Sequence, residues 1–168
     1  EDINEIENKT DHKNIDIVEC KLDDSWMRDI APIFYNEDEK LKSISFEFNG
    51  YGKYPDYLND NKISKFISNY LNIPTKISDL VIEGGAITYD DKKNLFSTKN
   101  VIFNKNRKQK HNSEYIIKEL KLLFDLNYIF LFENGLMEDD TDGHVDNLLC
   151  PIGKNKYLTA TTHKLDPN

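Results

Sequence analysis

Cysteine, tryptophan and long apolar runs are scarce in this sequence. Its 168 residues include two cysteines, Cys20 and Cys150, and a single tryptophan, Trp26. Two cysteines give no disulfide framework, so a reducing cytoplasm is the simplest compartment, and we expect both to be small buried hydrophobic side chains. No apolar run approaches the ~20 residues that a membrane-spanning helix needs, so we expect no membrane partner.

Basic residues are outnumbered as well. The chain has 22 Lys and Arg against 30 Asp and Glu, which gives a formal net charge of -8. Nucleic acids and anionic membranes bind basic patches, so this balance argues against both as partners. It is compatible with a small cationic ligand, because acidic clefts concentrate cations.

The length of the chain fits one domain. We expect residues 1–14, which are polar, to be a poorly ordered start, and residues 15–168 to form a single partial domain. The chain begins at Glu1 and ends at Asn168, just after a strand-like run, and we interpret it as a piece of a longer protein.

Apolar periodicity predicts two copies of one structural unit. Helical spacing predicts helices at 61–71 and 113–124, which lie 53 residues apart when their last residues are matched. Apolar alternation and short apolar runs predict strands at 15–20, 43–48, 76–77, 80–88, 94–98, 127–132, 144–152 and 156–162. The order strand–strand–helix–strand occurs twice, which favours an α/β fold built from repeats. A generic α+β domain is the alternative.

Two short motifs place a carboxylate where it can serve a pocket. In "DDSWMRDIAP" (23–32), Trp26 and Asp29 can form an aromatic wall beside a carboxylate, a good receptor for a guanidinium or an amine. The alternative is a core tryptophan next to a surface Arg–Asp pair. In "VIEGGAI" (81–87), Glu83 ends an apolar strand and precedes two glycines, which permit close backbone approach. The alternative is a surface glutamate at a turn.

A third motif, "EDDTDGHVDN" (138–147), packs five acids and one histidine into ten positions. A calcium loop of the EF-hand type does not fit, because Gly143 at position six puts Leu149 at position twelve, where Glu is needed. Zinc would find His144 and Asp146 on one face of a strand but no further His or Cys at a useful spacing, so we expect no metal. The pair suits another role, in which Asp146 holds a cation and His144 transfers protons near neutral pH.

The spacing of the motifs brings them together. Asp29, Glu83 and His144 are separated by 54 and 61 residues, about one structural unit each. In a ring of repeated units, equivalent positions converge on the axis, so these three residues are predicted to share one site. We interpret Asp140 and Asp142 as solvated loop acids.

These stretches resemble the agmatine deiminase family, which includes the bacterial type of peptidyl-arginine deiminase. The matching segments are "DSWMRD" (24–29), "EGGAI" (83–87), "NKNR" (104–107) and "DTDGHVDN" (140–147). The resemblance implies the pentein fold, a five-bladed α/β propeller with its site on the axis, of which this chain would supply about half, or two and a half blades. It also implies hydrolysis of agmatine to N-carbamoylputrescine and ammonia through a covalent amidino-cysteine, with no cofactor.

The resemblance implies roles for individual residues. Asp29 and Asp146 would grip the substrate guanidinium, His144 would transfer protons, Glu83 would pair with His144 or the substrate, and Trp26 would form part of the pocket wall. The family's nucleophilic cysteine has no counterpart here, so we expect the chain alone to be inactive. A peptidyl-arginine deiminase, or a truncated copy that only binds guanidino compounds or polyamines, remains an alternative. An open arc of propeller leaves unpaired strand edges, so a homo-oligomer or other self-association is expected.

Overall fold

The computed structural model describes residues 15–161, which form two three-stranded sheets, two longer helices and a final antiparallel strand pair. In chain order the elements are α1 (Met27–Ile30), β1 (Ile33–Glu37), β2 (Lys40–Glu47), α2 (Asp60–Tyr70), β3 (Thr75–Val81), β4 (Thr88–Tyr89), β5 (Asn94–Thr98), α3 (Lys99–Ile102), α4 (Ser113–Phe124), β6 (Tyr128–Phe132), β7 (Leu149–Pro151) and β8 (Tyr157–Thr159).

The two sheets have the same topology. β1 pairs antiparallel with β2 and β3 lies parallel to β2, just as β4 pairs antiparallel with β5 and β6 lies parallel to β5. A parallel neighbour needs a crossover connection, and α2 and α4 are the helices that supply it. The α/β class and the order strand–strand–helix–strand are therefore confirmed, but the first strand of the first unit is β1 and not the predicted strand at 15–20. β7 and β8 form another antiparallel pair.

The crossover helices form where apolar side chains recur on one face. In α4 the buried residues are Ile116, Leu120 and Leu123, and the side chain of Asn112 accepts a hydrogen bond from the Tyr115 N–H at the first turn. The predicted helix at 113–124 matches α4 at both ends. Within residues 15–161, none of the helices is long and apolar enough to cross a membrane.

The main core lies between the two structural units. It joins Ile44 of β2, Leu80 of β3, Leu95 of β5, and Ile116 and Leu120 of α4, each 2% exposed or less. Burying one such side chain contributes about 1.5–3 kcal/mol. The core therefore fixes the two sheets against each other, and with them the turns at their ends.

Three strand predictions are wrong in whole or in part. Residues 15–20 form no strand, because they pair with no strand within residues 15–161 and most of their side chains are exposed. Only the first two residues of the strand predicted at 80–88 belong to β3, because β3 ends at Val81, where its pairing with β2 stops. The strand predicted at 144–152 begins only at Leu149, because a 3₁₀ turn at Val145–Asn147 precedes it.

Candidate active site

Three short helical turns carry the candidate residues, one ahead of each antiparallel strand pair. α1 precedes β1, the 3₁₀ turn Gly84–Ala86 precedes β4, and the 3₁₀ turn Val145–Asn147 precedes β7. The middle turn packs against both of the others. A Cβ on Gly84 would lie 2.0 Å from the carbonyl oxygen of Arg28, so this close approach requires glycine.

His144 lies between two carboxylates in the interior. Its Nδ1 is 3.6 Å from Oδ1 of Asp29, and its Nε2 is 3.6 Å from Oε2 of Glu83. His144 and Glu83 are 2% and 1% exposed, so Glu83 is not the surface glutamate of the alternative interpretation. Nε2 of His144 has no hydrogen-bond partner among the described residues. The structure thus brings together the three residues that the spacing of the motifs predicted to meet.

Gly85 marks the point on which the site converges. A Cβ placed on Gly85 would lie 2.5 Å from Nδ1 of His144, 2.7 Å from Oδ1 of Asp29 and 2.8 Å from Oδ2 of Asp146. Two carboxylates and an imidazole therefore face one small volume, and only a glycine leaves that volume open to them.

Hydrogen bonds hold Asp29 in place. The Gly85 N–H donates to Oδ1 at 2.9 Å and the Tyr51 hydroxyl donates to Oδ2 at 2.7 Å. Burial, followed by this contact with the Asp29 carboxylate, raises the pKa of Tyr51, so the hydroxyl stays a donor at neutral pH. Tyr51 lies outside the sequence motifs, and no local pattern in the sequence identified it.

Asp146 is the more accessible of the two carboxylates. Its side chain is 31% exposed, and Oδ2 lies 3.6 Å from Nε of Arg28, whose own side chain is 61% exposed. Burial raises the pKa of Asp146, while the charges of His144 and Arg28 act to lower it. Asp146 and His144 belong to a turn and do not share a strand face, but both face the site.

A fully buried arginine underlies the site. The Arg107 Nε donates to Oε1 of Glu83 at 2.9 Å, and Nη1 contacts both Oδ2 of Asp142 and the Tyr51 carbonyl. Nη2 donates to the carbonyl oxygen of Thr141 at 2.6 Å. The family resemblance included Arg107 in the "NKNR" stretch but assigned it no role, and a lone arginine in a polar run looks like a surface residue.

The network around Arg107 balances its own charges. Asp142 also pairs with Lys53, whose Nζ lies 2.6 Å from Oδ1, so the interpretation of Asp142 as a solvated acid is wrong. Arg107 and Lys53 together neutralise Glu83 and Asp142. Among residues 15–161, the exposed Arg28, which lies beside Asp146, is the only Lys or Arg in an ion pair with either Asp29 or Asp146. This pair of carboxylates is therefore where a further cation is favoured.

Asp139 organises the loop that leads to His144. Its carboxylate accepts from the N–H groups of Thr141 at 2.9 Å, Gly143 at 3.2 Å and His144 at 3.0 Å. Burial alone would raise the pKa of Asp139, but these bonds and the Thr141 hydroxyl outweigh it, so the pKa is lowered. Asp139 stays ionised and fixes the backbone that presents the imidazole.

A cavity of about 600 Å³ opens onto Asp29. Trp26 forms part of its wall and is 60% exposed, so the core interpretation of this tryptophan is wrong. Acidic residues of two segments line the cavity too, and they are Asp24, Glu138, Asp139 and Asp140. An aromatic wall and several carboxylates suit a cationic ligand.

A match to a family model shows which family the chain belongs to. The model of the Porphyromonas-type peptidyl-arginine deiminase family matches residues 1–168. The chain belongs to this family.

Two similar members of the deiminase family are both named agmatine deiminase. The agmatine deiminase of Pseudomonas aeruginosa is 31% identical over 168 residues, which are 95% of this chain and 46% of that protein. A cysteine-to-serine variant of C. jejuni agmatine deiminase with substrate bound superposes with a TM-score of 0.81 at 31% identity, covering 93% of this chain and 47% of that one. The chain therefore spans less than half the length of the relatives it matches.

The two cysteines of this deiminase-family chain lie away from the site. Cys20 is partly buried beside the apolar cluster of Ile30, Phe48, Tyr51 and Ile63, and Cys150 is exposed on β7. The expectation that both are buried is therefore wrong, because neither is fully covered by the described residues. Neither lines the cavity. Within residues 15–161, no group of three or more His, Cys, Asp or Glu side chains could hold a metal ion.

Proposed function

We propose that the site binds the guanidinium group of agmatine, and that the protein containing these residues hydrolyses agmatine to N-carbamoylputrescine and ammonia. One observation supports this most strongly: Asp29, Asp146 and His144 converge on a single point beside Gly85. Two carboxylates at that point offer paired charge-assisted hydrogen bonds to a planar cation. The names of the relatives support agmatine as the substrate.

In this proposal the carboxylates orient an unreactive carbon. Resonance spreads the positive charge of a guanidinium, so its carbon is a weak electrophile. Asp29 and Asp146 hold the group so that a cysteine thiolate, supplied from outside residues 1–168, attacks the carbon along a fixed line. The thiolate forms a C–S bond, and one C–N bond then breaks to release ammonia.

His144 moves the protons in this scheme. As an imidazolium it gives a proton to the departing ammonia, which leaves an amidino-cysteine. As a neutral imidazole it then takes a proton from water, whose oxygen attacks the same carbon. The C–S bond breaks with its electron pair going to sulfur, the remaining proton on the oxygen is lost to solvent, and N-carbamoylputrescine leaves. Glu83 lies beside Nε2 and stabilises the imidazolium.

We also propose that the repeat belongs to a pentein ring. The two strand–strand–helix–strand units and the third strand pair would be about two and a half blades of a five-bladed propeller, within a single partial domain at 15–168. The convergence of the three turns supports this, because the start of each blade in such a ring faces the axis.

Agmatine binding to the chain depends on the two carboxylates in this proposal. We expect Asp29→Asn and Asp146→Asn each to weaken binding by about tenfold to a hundredfold, since a hydrogen bond to a charged group is worth about 1.5–3 kcal/mol. Isothermal titration calorimetry with agmatine measures this. Asp125→Asn is the matched control, because it removes an exposed acid outside the cavity and should leave the affinity unchanged. Equal affinity in all three variants would contradict the proposal.

The affinity for agmatine should also depend on pH through Asp146. Because burial raises the pKa of this carboxyl, a proton begins to compete with the guanidinium at a pH above the ordinary aspartate value of 3.8. Binding is therefore strongest at neutral pH and weakens as the pH is lowered through the raised pKa. Calorimetry between neutral and mildly acidic pH checks this, and Asp146→Asn should show a flatter dependence.

A peptidyl-arginine deiminase is the second candidate, and the family description favours it. An arginine-terminated peptide carries a carboxylate that the acidic cavity should repel. The ratio of turnover for agmatine and for such a peptide, in a family-length protein containing these residues, separates the two. A third candidate is a copy that only binds guanidino compounds or polyamines. Residues 1–168 alone should release no ammonia above a boiled control in all three cases, so the family-length protein decides between them.

A further inference from the structure

Arg107 connects three parts of the molecule. Its guanidinium contacts the Tyr51 carbonyl from the first unit, Glu83 from the middle turn, and Thr141 and Asp142 from the acidic loop. The side chain is 0% exposed, and a buried guanidinium is stable only when its donors and its charge are satisfied. Such a residue can determine the geometry of the carboxylates that it holds.

The two oxygens of Glu83 have different partners. Oε1 accepts from Nε of Arg107 at 2.9 Å, while Oε2 lies 3.6 Å from Nε2 of His144. The bond to Arg107 therefore sets the rotation of the carboxylate and directs its second oxygen to the imidazole. It also places a cationic partner beside a carboxylate that is only 1% exposed.

We propose that Arg107 is a positioning residue that acts on His144 through Glu83, by fixing the orientation and the negative charge of that carboxylate. The inference deepens the proposed function, on which the role of His144 in proton transfer rests. The contact itself is independent of any substrate, and so is its test.

Loss of Arg107 has a definite electrostatic consequence. Glu83 would be left buried without its cationic partner, and a buried carboxyl in that position takes up a proton. The imidazolium of His144 would then lose one of its stabilising neighbours. The other groups that face His144 would remain, and they are Asp29, Asp146, Asp139 and the ring of Tyr51.

The test is an NMR titration of His144 in the 168-residue chain without ligand. The chain has four histidines, and His144→Gln assigns the signal. Arg107→Met is expected to move the titration midpoint of His144 to lower pH, because protonation of Glu83 removes the carboxylate charge that lies 3.6 Å from Nε2. His111, which pairs with Asp79 on the surface, serves as an internal reference and should not move.

Lys53→Met is the matched control. Lys53 binds the same Asp142 and the Asp140 carbonyl, so its loss loosens the acidic loop without touching Glu83. We expect the midpoint of His144 to stay at its wild-type value in this variant. An equal shift in both variants would mean that loop tethering alone matters, and no shift in Arg107→Met would mean that Glu83 needs no such partner. Either result overturns the proposal.

A conservative variant covers the case in which Arg107→Met does not fold. Arg107→Lys keeps the charge and loses the fixed fork of donors, so a smaller shift in the same direction is expected. A wild-type midpoint in a folded Arg107→Lys chain would then count against the proposal. Agmatine calorimetry on wild-type chain is a separate measurement, so failure of the proposed function is distinguishable from failure of this inference.

Discussion

Gly85→Ala is expected to weaken agmatine binding by about tenfold to a hundredfold, because displacing one of the paired carboxylates removes a charge-assisted hydrogen bond worth about 1.5–3 kcal/mol. The added methyl carbon would lie 2.5 Å from Nδ1 of His144, 2.7 Å from Oδ1 of Asp29 and 2.8 Å from Oδ2 of Asp146. All three separations are below van der Waals contact. Something in the site must therefore move.

The site residues differ in how far they can move. His144 is buried, and Asp29 is held by the Gly85 N–H and the Tyr51 hydroxyl, so neither can retreat without breaking contacts. Asp146 is partly exposed and can turn outward. The outward rotation of Asp146 would separate the two carboxylates, and paired binding of one planar cation would be lost.

Calorimetry with agmatine measures the loss in Gly85→Ala, and thermal unfolding reports its stability. Gly153→Ala is a suitable control, since a Cβ there meets nothing within 4 Å but the φ of +81° strains any side chain. The control should lose stability and keep its affinity. If Gly85→Ala binds agmatine as tightly as the wild type, the convergence of the three side chains is not the binding site.

Local periodicity predicted the regular elements because each of them has one buried face. β5 at 94–98 and α4 at 113–124 match their predicted limits, and in both the apolar spacing reflects the core that covers them. The same signal failed at 80–88 and 144–152. Those apolar runs are buried too, but partly in 3₁₀ turns, and burial alone does not distinguish a turn from a strand.

Burial of charged groups was beyond what the sequence could predict. Arg107 and Asp142 lie in polar runs, and only the tertiary structure shows that the two form an ion pair beneath the site. Conversely, the residue type of Trp26 was compatible with a core position or a pocket wall, and only the structure shows that it lines the cavity. The convergence of Asp29, Glu83 and His144 was predictable because their spacing follows the structural repeat, and a repeat carries long-range information that single positions do not.

His144→Ala should lower the turnover of agmatine by about a hundredfold or more in a family-length protein containing these residues, since this is the usual contribution of general acid–base catalysis. The imidazole faces the convergence point, and in the proposed mechanism it protonates the departing ammonia. Asp29 and Asp146 remain in the variant. We therefore expect kcat to fall while agmatine affinity changes by a much smaller factor.

Ammonia release measures kcat in this experiment, and calorimetry measures affinity. His111→Ala is the matched control, because His111 is a surface histidine that pairs with Asp79 and stacks on Tyr115, away from the cavity. The control should keep wild-type turnover. A near-normal rate in His144→Ala would remove the imidazole from the chemistry, and an equal loss of affinity and rate would make it a binding group. A fall in kcat without a comparable loss of agmatine affinity supports proton transfer by His144. The reason is that removing a group needed only in the transition state leaves the ground-state complex intact.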